Sequence, residues 1–269
     1  MIVTWLYVPG DRPERFAKAA ASGADAVIVD LEDAVAHARK EEALANVLAF
    51  LRERPAGPQV HVRINDLTTE RGRADLRALD GLPGLDGLRV PKVESPGVLD
   101  GIRTPVHALL ESAAAIVGAA AIAAHPAVAG VALGEQDLAA ELSITAPEAL
   151  DQLRLQVVLA AAAAGLPPVA MSVYPDIRDE DGLVASCARG RSMGLFGRSA
   201  IHPAQVPAIR RAFRPSPEEV ARAAEVVEAA ERAEAAGVGA LALADGRFVD
   251  APVVARARRT LELAERLAP

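Results

Sequence analysis

The sequence predicts an α/β fold, a (β/α)8 TIM barrel of eight parallel strands each followed by a helix, with a C-terminal extension of helix and hairpin. Three observations predict it. Short β-branched runs alternate with longer Ala-rich segments of helical period. Eight such pairs fit within about 213 residues. Charged and polar residues also recur where the apolar runs end, as a ring of reactive groups on one rim of a parallel sheet would do. A doubly wound open sheet is the alternative. No GxGxxG follows the first strand and no GxxxxGK[ST] occurs, so its usual nucleotide loops are missing.

Taken in order, the first strand is expected near 2–8, and Asp11-Arg12-Pro13-Glu14 starts a helix near 12–22. AVIV, near 26–30, runs into Asp30, then Glu32 and Asp33, before a helix near 37–54. QVHV, near 59–64, runs into Arg63, before a helix near 70–80. GLRV, near 87–91, precedes Lys92 and a short helix near 95–101. VHALL, near 106–110, precedes Glu111 and a helix near 112–124. GVAL, near 129–133, precedes Glu135 and Asp137, with a helix near 147–164. PVAM, near 168–173, ends in Ser172 and Tyr174, before a helix near 179–192. LFGRSAI, near 195–201, ends in His202, and a helix near 204–213 completes the barrel.

The extension covers 214–269. Ser216-Pro217-Glu218-Glu219 is a strong helix start, with Ser as cap, Pro in the first turn and Glu219 closing a capping box. The helix should reach about Ala236, and Gly237-Val238-Gly239 breaks it. Asp245-Gly246 marks a hairpin turn, and a last helix follows near 252–267. This tail is too short for a separate domain, so it is expected to pack on the barrel or on a neighbouring subunit.

Composition narrows the function. The 269 residues are 51% hydrophobic and 24% charged, as in a globular protein with a substantial core. A net charge of −7 with dispersed Lys and Arg argues against nucleic acid or an anionic membrane as partner. The N-terminus lacks a secretory apolar region, and the longest apolar run, 113–124, is about half a bilayer span, so a cytoplasmic protein is expected. Cys187 is the only cysteine, which excludes an internal disulfide and a Cys-based metal site.

In such a barrel the chemistry sits at the C-terminal ends of the strands. That brings Asp30, Glu32, Arg63, Lys92, Glu111, Asp137 and Ser172 around one mouth. Any one of them is as well explained by an ion pair at the rim; the whole series is not. Glu111 and Asp137, on neighbouring strands, suit a hard divalent cation such as Mg²⁺. Arg63 suits a carboxylate or carbonyl oxygen. Lys92 reads as an ion-pair partner of Glu32 or Glu94 rather than a Schiff-base lysine. His61 and His107 read as barrel-wall residues, and the five histidines lack zinc spacing. Arg12 and Lys18 lie where a helix N-terminal half can hold phosphate, or form a solvated basic face.

The stretches LYVPGDRPERFAKAAASGADAVIVDLEDAV (7–35), VRIND (62–66), VPKVES (90–95), LLESA (109–113), LGEQDLAAEL (133–142), FGRSAIHPAQV (196–206) and FVDAPVV (248–254) resemble the citrate lyase β-subunit-like members of the HpcH/HpaI aldolase and citrate lyase superfamily. The resemblance implies a (β/α)8 barrel forming a homo-oligomer, a trimer or hexamer. It implies Mg²⁺ held by Glu111 and Asp137, Arg63 and Glu111 in contact with substrate, and CoA phosphates held by Arg12 and Lys18; Glu32, from the rim series, is expected with Arg63 in the catalytic set. It also implies Asp250 as an acid/base group supplied by a neighbouring protomer. Gln136 and Arg198 depart from the Glu and Lys of many relatives. The activity implied is Mg²⁺-dependent C–C cleavage or condensation of a 3-hydroxyacyl thioester, such as malyl-CoA, citramalyl-CoA or a citryl thioester, to acetyl-CoA and a 2-oxoacid. The thioester is carried on CoA or on an acyl carrier. A 2-oxoacid aldolase that does not use CoA, and a non-catalytic scaffold or ligand sensor, are the alternatives.

Overall fold

The computed structural model describes residues 2–53, 57–235, 241–242 and 248–267. The chain divides into two compact units, Met1–Phe213 and Arg214–Pro269.

The first unit is an α/β fold built on one parallel sheet of seven strands that forms a half-barrel. Its strands are β1 (Thr4–Pro9), β2 (Ala26–Asp30), β3 (Gln59–Arg63), β4 (Gly87–Val90), β5 (Val106–Leu110), β6 (Val128–Leu133) and β7 (Arg198–Ala200), in the spatial order β6-β5-β4-β3-β2-β1-β7. The helices between them are α1 (Phe16–Ala20), α2 (Lys40–Arg52), α3 (Glu70–Leu79), α4 (Ala113–Val117), α5 (Ala119–Ala123), α6 (Glu135–Glu141), α7 (Pro147–Ala163) and α8 (Glu180–Ser192), with α9 (Gln205–Phe213) after β7. Every residue of β2 and β4 is buried, which is why these strands read as near-continuous apolar runs rather than alternating ones. Register aligns Pro9, Asp30, Arg63, Arg89 and His107 along one row across β1 to β5. In-register neighbours on parallel strands point to the same face, so this row delivers its side chains together.

At the His107 end of that row lies a ring cluster. Trp5 meets His61 and His107 edge-on, with centroids 5.0 and 5.1 Å away, and the two imidazoles are 4.9 Å apart. Gly87 and Gly130 make room for it: a Cβ there would lie 2.5 Å from His61 and 2.7 Å from His107. Burial, with Arg89 nearby, lowers the His107 pKa to about 3, so His107 is neutral there. Both histidines are thus packing residues, as their place inside apolar strands suggests.

Three local expectations differ from the structure. Over 168–173 only two isolated parallel bridges form, Ala132↔Ala170 and Met171↔Arg198. Pro167 and Pro168 supply no N–H where this segment would begin pairing. The helix expected near 95–101 is a single 3-10 turn, Pro96–Leu99. Conversely α6 has no counterpart among the expected elements: GEQDLAAEL is short, and two of its three acidic residues, Glu135 and Asp137, stand in the first turn, where they complement the helix dipole. Smaller differences have plain causes. The helix near 12–22 opens as a 3-10 turn at Pro13–Arg15, and the one near 112–124 breaks at Gly118.

Asp25 ties the lower edge of the sheet together. Its Oδ2 accepts from the Val3 and Thr4 amides at 2.8 and 2.9 Å and from Thr4 Oγ1 at 3.1 Å, while Oδ1 accepts from Arg210 Nη1 at 2.8 Å. Burial alone would raise this carboxyl, but the amide bonds and Arg210 hold it below its usual 3.8. Asp25→Ala is expected to cost about 2–4 kcal/mol in denaturant unfolding, because it leaves amide donors without partners. A carboxylate with a depressed folded pKa stabilises fully above its unfolded pKa. That contribution should therefore vanish only as pH falls below about 4, and the wild-type advantage over Asp25→Ala should shrink there.

The second unit contains α10 (Pro217–Ala235), an antiparallel pair β8 (Leu241–Ala242) and β9 (Phe248–Val249), and α11 (Ala251–Arg266). The capping box forms: Ser216 Oγ accepts from the Glu219 amide at 3.2 Å, and Glu219 Oε2 accepts from the Ser216 amide at 2.8 Å. Ala223, Val226, Ala229, Val249 and Ala257 make its small core. The Gly237–Gly239 break and the Asp245-Gly246 turn fall outside the described residues. Among the described residues no helix is long and apolar enough to cross a membrane.

Candidate active site at the C-terminal rim of the sheet

The strand ends converge on a cavity of about 410 Å³, lined by Tyr7, Asp30, Asp33, Arg63, Arg89, Glu111, Glu135, Asp137 and Ser172 among others. Its centre is Arg63. Asp30, the last residue of β2, grips that guanidinium at two points, Nε at 2.8 Å and Nη2 at 2.5 Å. This fork-on-fork pair fixes the plane of the guanidinium. Nη1 lies 3.1 Å from Asp33 and 2.9 Å from Glu32. Asp30 is itself held by the backbone, accepting from the Glu32 and Ala34 amides. The net effect keeps Arg63 firmly protonated despite burial.

Glu32 is buried between two cations, Arg63 and, at 3.4 Å, Lys92 Nζ. Those ion pairs lack hydrogen-bonding geometry, so both Glu32 oxygens lie buried without a hydrogen bond. Its carboxyl is raised by burial, against the pull of Arg63. Lys92 thus reads as an ion-pair lysine, as its surroundings in sequence suggest.

Glu111 follows β5 and is 8% exposed. Its Oε2 accepts from the Lys92 amide at 3.1 Å. Lys92 offers that amide from a left-handed conformation, φ 54°, which is strained for any residue with a Cβ. Gly134 leaves space on the other side, since a Cβ there would lie 2.4 Å from Glu111 Cγ. Burial, then the nearby charges of Glu32 and Asp137, raise the Glu111 pKa to about 7. Asp137 stands exposed in the first turn of α6, and with Glu111 it also lines a neighbouring hollow. A buried carboxylate crowded by two others, with a second rim carboxylate facing solvent, is a donor set that fits a divalent cation with room for water or ligand oxygens. No cluster of three or more ligating side chains occurs among the described residues; Glu111 and Asp137 are the two carboxylates that line both the cavity and the neighbouring hollow.

The other rim residues separate by environment. Glu135 is withdrawn from the cavity chemistry: Arg154 on α7 holds it at 2.9 and 2.5 Å, and Asp151 and Arg189 extend that network. The Ser172 carbonyl accepts from Arg198 Nε at 3.0 Å. His202 accepts the Ala204 amide on an exposed turn. Cys187 is buried, and burial raises its thiol. Arg12 and Lys18 are exposed, pair with no carboxylate among the described residues and do not line the cavity. Asp250, in the second unit, caps α11 by accepting from the Val253 amide at 3.2 Å. Two residues that sequence reasoning left unassigned carry weight here: Asp30, which orients Arg63, and Arg89, whose one signal was an isolated charge inside the apolar run GLRV.

A profile of the HpcH/HpaI aldolase/citrate lyase family matches residues 4–104 and 100–203. The chain is 39% identical over 98% of its length to a (3S)-malyl-CoA thioesterase of Cereibacter sphaeroides, covering 94% of that protein. It is 40% identical over 97% of its length to a citrate lyase subunit beta-like protein of Mycobacterium tuberculosis, again covering 94%. Among solved structures, protein CitE from Mycobacterium tuberculosis in complex with magnesium, acetoacetate and coenzyme A superposes with a TM-score of 0.85 and 37% identity, over 98% of both chains. A citrate lyase beta subunit from the same organism, complexed with oxaloacetate and magnesium, superposes with a TM-score of 0.71 and 37% identity, over 79% of this chain and 96% of that one.

Proposed function

Because the chain belongs to the HpcH/HpaI aldolase/citrate lyase family, we propose that it is a Mg²⁺-dependent carbon–carbon lyase of 3-hydroxyacyl thioesters, releasing acetyl-CoA and a 2-oxoacid. The observation that carries this reading is the rim itself. Arg63, clamped by Asp30, faces the same cavity as Glu111 and Asp137, and Glu111 is raised to about 7 by burial, Glu32 and Asp137.

The chemistry follows from those residues. Mg²⁺, held by Glu111 and Asp137, would supply Lewis-acid charge against the 2-oxoacid oxygens. Arg63 keeps N–H donors beyond those taken by Asp30 and Asp33, and these bind the thioester oxygen on which negative charge gathers as the bond breaks. Glu32 holds Arg63 and Lys92 on the rim by charge. Asp30 fixes the guanidinium plane, so Arg63 spends no reorganisation during the reaction. Arg12 and Lys18 meet the CoA phosphates outside the cavity. The same site run backwards condenses acetyl-CoA with a 2-oxoacid.

We read the first unit as a (β/α)8 barrel in which 168–173 stands between β6 and β7. The bridges at Ala170 and Met171, with the Met171 amide donating to the Gly197 carbonyl at 2.9 Å and the Ser199 amide to the Met171 carbonyl at 3.0 Å, support that reading. The 214–269 extension packs on the barrel or on a neighbour in a homotrimer or hexamer, and a CoA-ester substrate suits a cytoplasmic enzyme. Hydrolysis of the thioester is the second reading, favoured by the malyl-CoA thioesterase likeness. The test is product analysis after incubation with malyl-CoA, citramalyl-CoA and citryl-CoA, with Mg²⁺ and with excess chelator. Acetyl-CoA plus a 2-oxoacid, only with Mg²⁺, is expected. Free CoA plus the intact hydroxyacid would replace lyase by thioesterase, and no turnover of any ester would sink both.

Asp250 is proposed as the acid/base group, donated to an adjacent subunit. Its capping bond uses Oδ1 only, leaving the other oxygen for a proton. Arg63→Ala and Asp250→Ala proteins should each be inactive, and mixing them under subunit exchange should restore part of the activity. An active Asp250→Ala variant ends the acid/base assignment. Failure to complement despite verified exchange ends the neighbour's role.

A further inference from the structure

Arg89 carries a positive charge in the middle of the sheet that no acidic group among the described residues matches. It is 2% exposed, and its Nε has no hydrogen-bond partner. Among the described residues no carboxylate pairs with it. Its contacts are aromatic: the guanidinium carbon lies 4.4 Å from the Trp5 ring centroid and 5.9 Å from that of Tyr7, whose phenol is its polar neighbour. The two other buried arginines of this unit are satisfied differently. Arg154 is held by Glu135 and Asp151; Arg198 bonds the Ser172 carbonyl and Ser186. A buried cation left to aromatic faces is costly, and an apolar side chain of similar volume would pack there without that cost.

Its position says where the missing charge would come from. On the register row Arg89 stands between Arg63 and His107. The three carboxylates beside this row, Asp30, Glu32 and Asp33, are paired to Arg63, and His107 brings no negative charge to Arg89. Arg89 lines the 410 Å³ mouth cavity and also the smaller cavity of about 210 Å³ behind it, where Trp5 and His107 lie. It is therefore the floor of the mouth. Leu109, which lines the same cavity, is two residues before Glu111, a strand rise of about 7 Å. Arg89 pairs in register with His107, one layer below Leu109, so a ligand anchored at the rim reaches past Leu109 to meet the guanidinium.

We propose that Arg89 is a specificity-determining residue that receives a second carboxylate on the acid half of the substrate, so that the site prefers a dicarboxylic 2-oxoacid over one ending in a methyl group. This rests on the lyase reading of the rim. One carboxylate and the oxo group of the ligand stay at the level of Glu111 and Asp137. The distal carboxylate descends between Tyr7 and Leu109 and meets the guanidinium, with water excluded. A charge-assisted bond in that setting discriminates strongly against a ligand that leaves the cation unpaired.

The test is calorimetric binding of freshly neutralised oxaloacetate and of pyruvate to the full-length protein in Mg²⁺, with Arg89→Met and Arg89→Lys alongside. The wild type should bind oxaloacetate at least about tenfold tighter than pyruvate. Arg89→Met should weaken oxaloacetate on the order of 100-fold and leave pyruvate within about twofold. Its melting temperature without ligand should be unchanged or higher, since an unpaired charge has gone. Arg89→Lys should keep part of the preference. Equal wild-type affinities, or equal losses for both acids in Arg89→Met, overturn the proposal. So does a fall in melting temperature with the preference intact, which would make the aromatic contacts the whole role. If Arg89→Met does not fold, loss of all preference in a folded Arg89→Lys with pyruvate binding unchanged still supports the proposal, and retention of the full preference overturns it. A resident inorganic anion is a further overturning outcome: added chloride would then stabilise the wild type but not Arg89→Met, with no preference between the acids. Wild-type protein that binds neither acid with Mg²⁺ removes the lyase reading; Mg²⁺-dependent pyruvate binding without preference removes only the role of Arg89.

Discussion

Glu111→Gln and Asp137→Asn are each expected to abolish Mg²⁺-dependent cleavage while leaving the protein folded. Each change keeps the shape of the side chain and removes one of the two carboxylates available to the cation. Glu111 is crowded by Glu32 and Asp137, so the neutral amide relieves like-charge repulsion, and the melting temperature should not fall. Asp137 is exposed in the first turn of α6, where substitution disturbs little packing. Turnover measured against Mg²⁺ concentration, with melting curves as the control for folding, decides it. Full activity in either variant, or undiminished activity of the wild type in excess chelator, removes the metal from these residues.

Arg63→Lys should lose about 10²-fold or more in kcat, the scale of removing one oxyanion donor. The reason is geometric. Asp30 holds one edge of a planar fork through Nε and Nη2, at 2.8 and 2.5 Å, Nη1 donates to Asp33, and the remaining N–H donors of the two terminal nitrogens are left for the cavity. A lysine ammonium can satisfy Asp30 or reach the cavity, but it cannot do both in one plane. The loss should appear in kcat with a smaller change in KM, because the interaction strengthens as charge develops. Asp30→Asn should reproduce part of the same kcat loss with the guanidinium still present, which separates orientation from charge. A change confined to KM in Arg63→Lys would reduce Arg63 to a binding residue.

The rim was largely readable in one dimension because parallel strands are buried on both faces. Runs such as AVIV and VHALL announce themselves, and the first charge after each falls on the rim. What could not be read was which carboxylate faces which cation. Glu135 follows its strand just as Glu111 does, yet Arg154, on another helix, removes it; that pairing exists only after α7 docks. The left-handed turn at Lys92 has no sequence signature, since lysine is not a residue expected there. Arg89 was invisible for the opposite reason. A single charge inside GLRV looks like one solvated residue on an edge strand, and only the sheet order shows β4 to lie between β3 and β5. Segment 168–173 reads as a strand by composition, while Pro168 and the preceding Pro167 leave it with bridges alone.

The ring cluster under the rim has an optical consequence. Trp5 is the only tryptophan in the chain, and its indole faces the guanidinium of Arg89 on one side and two imidazoles on another. Its emission therefore comes from one place, the base of the mouth, with no second fluorophore of its kind to dilute the signal. An anion drawing the Arg89 charge away from the ring alters the field across the indole, shifting the wavelength as well as the intensity of its emission. The protein thus carries its own spectroscopic gauge of what reaches the bottom of the cavity, readable in a cuvette without label or coupled assay.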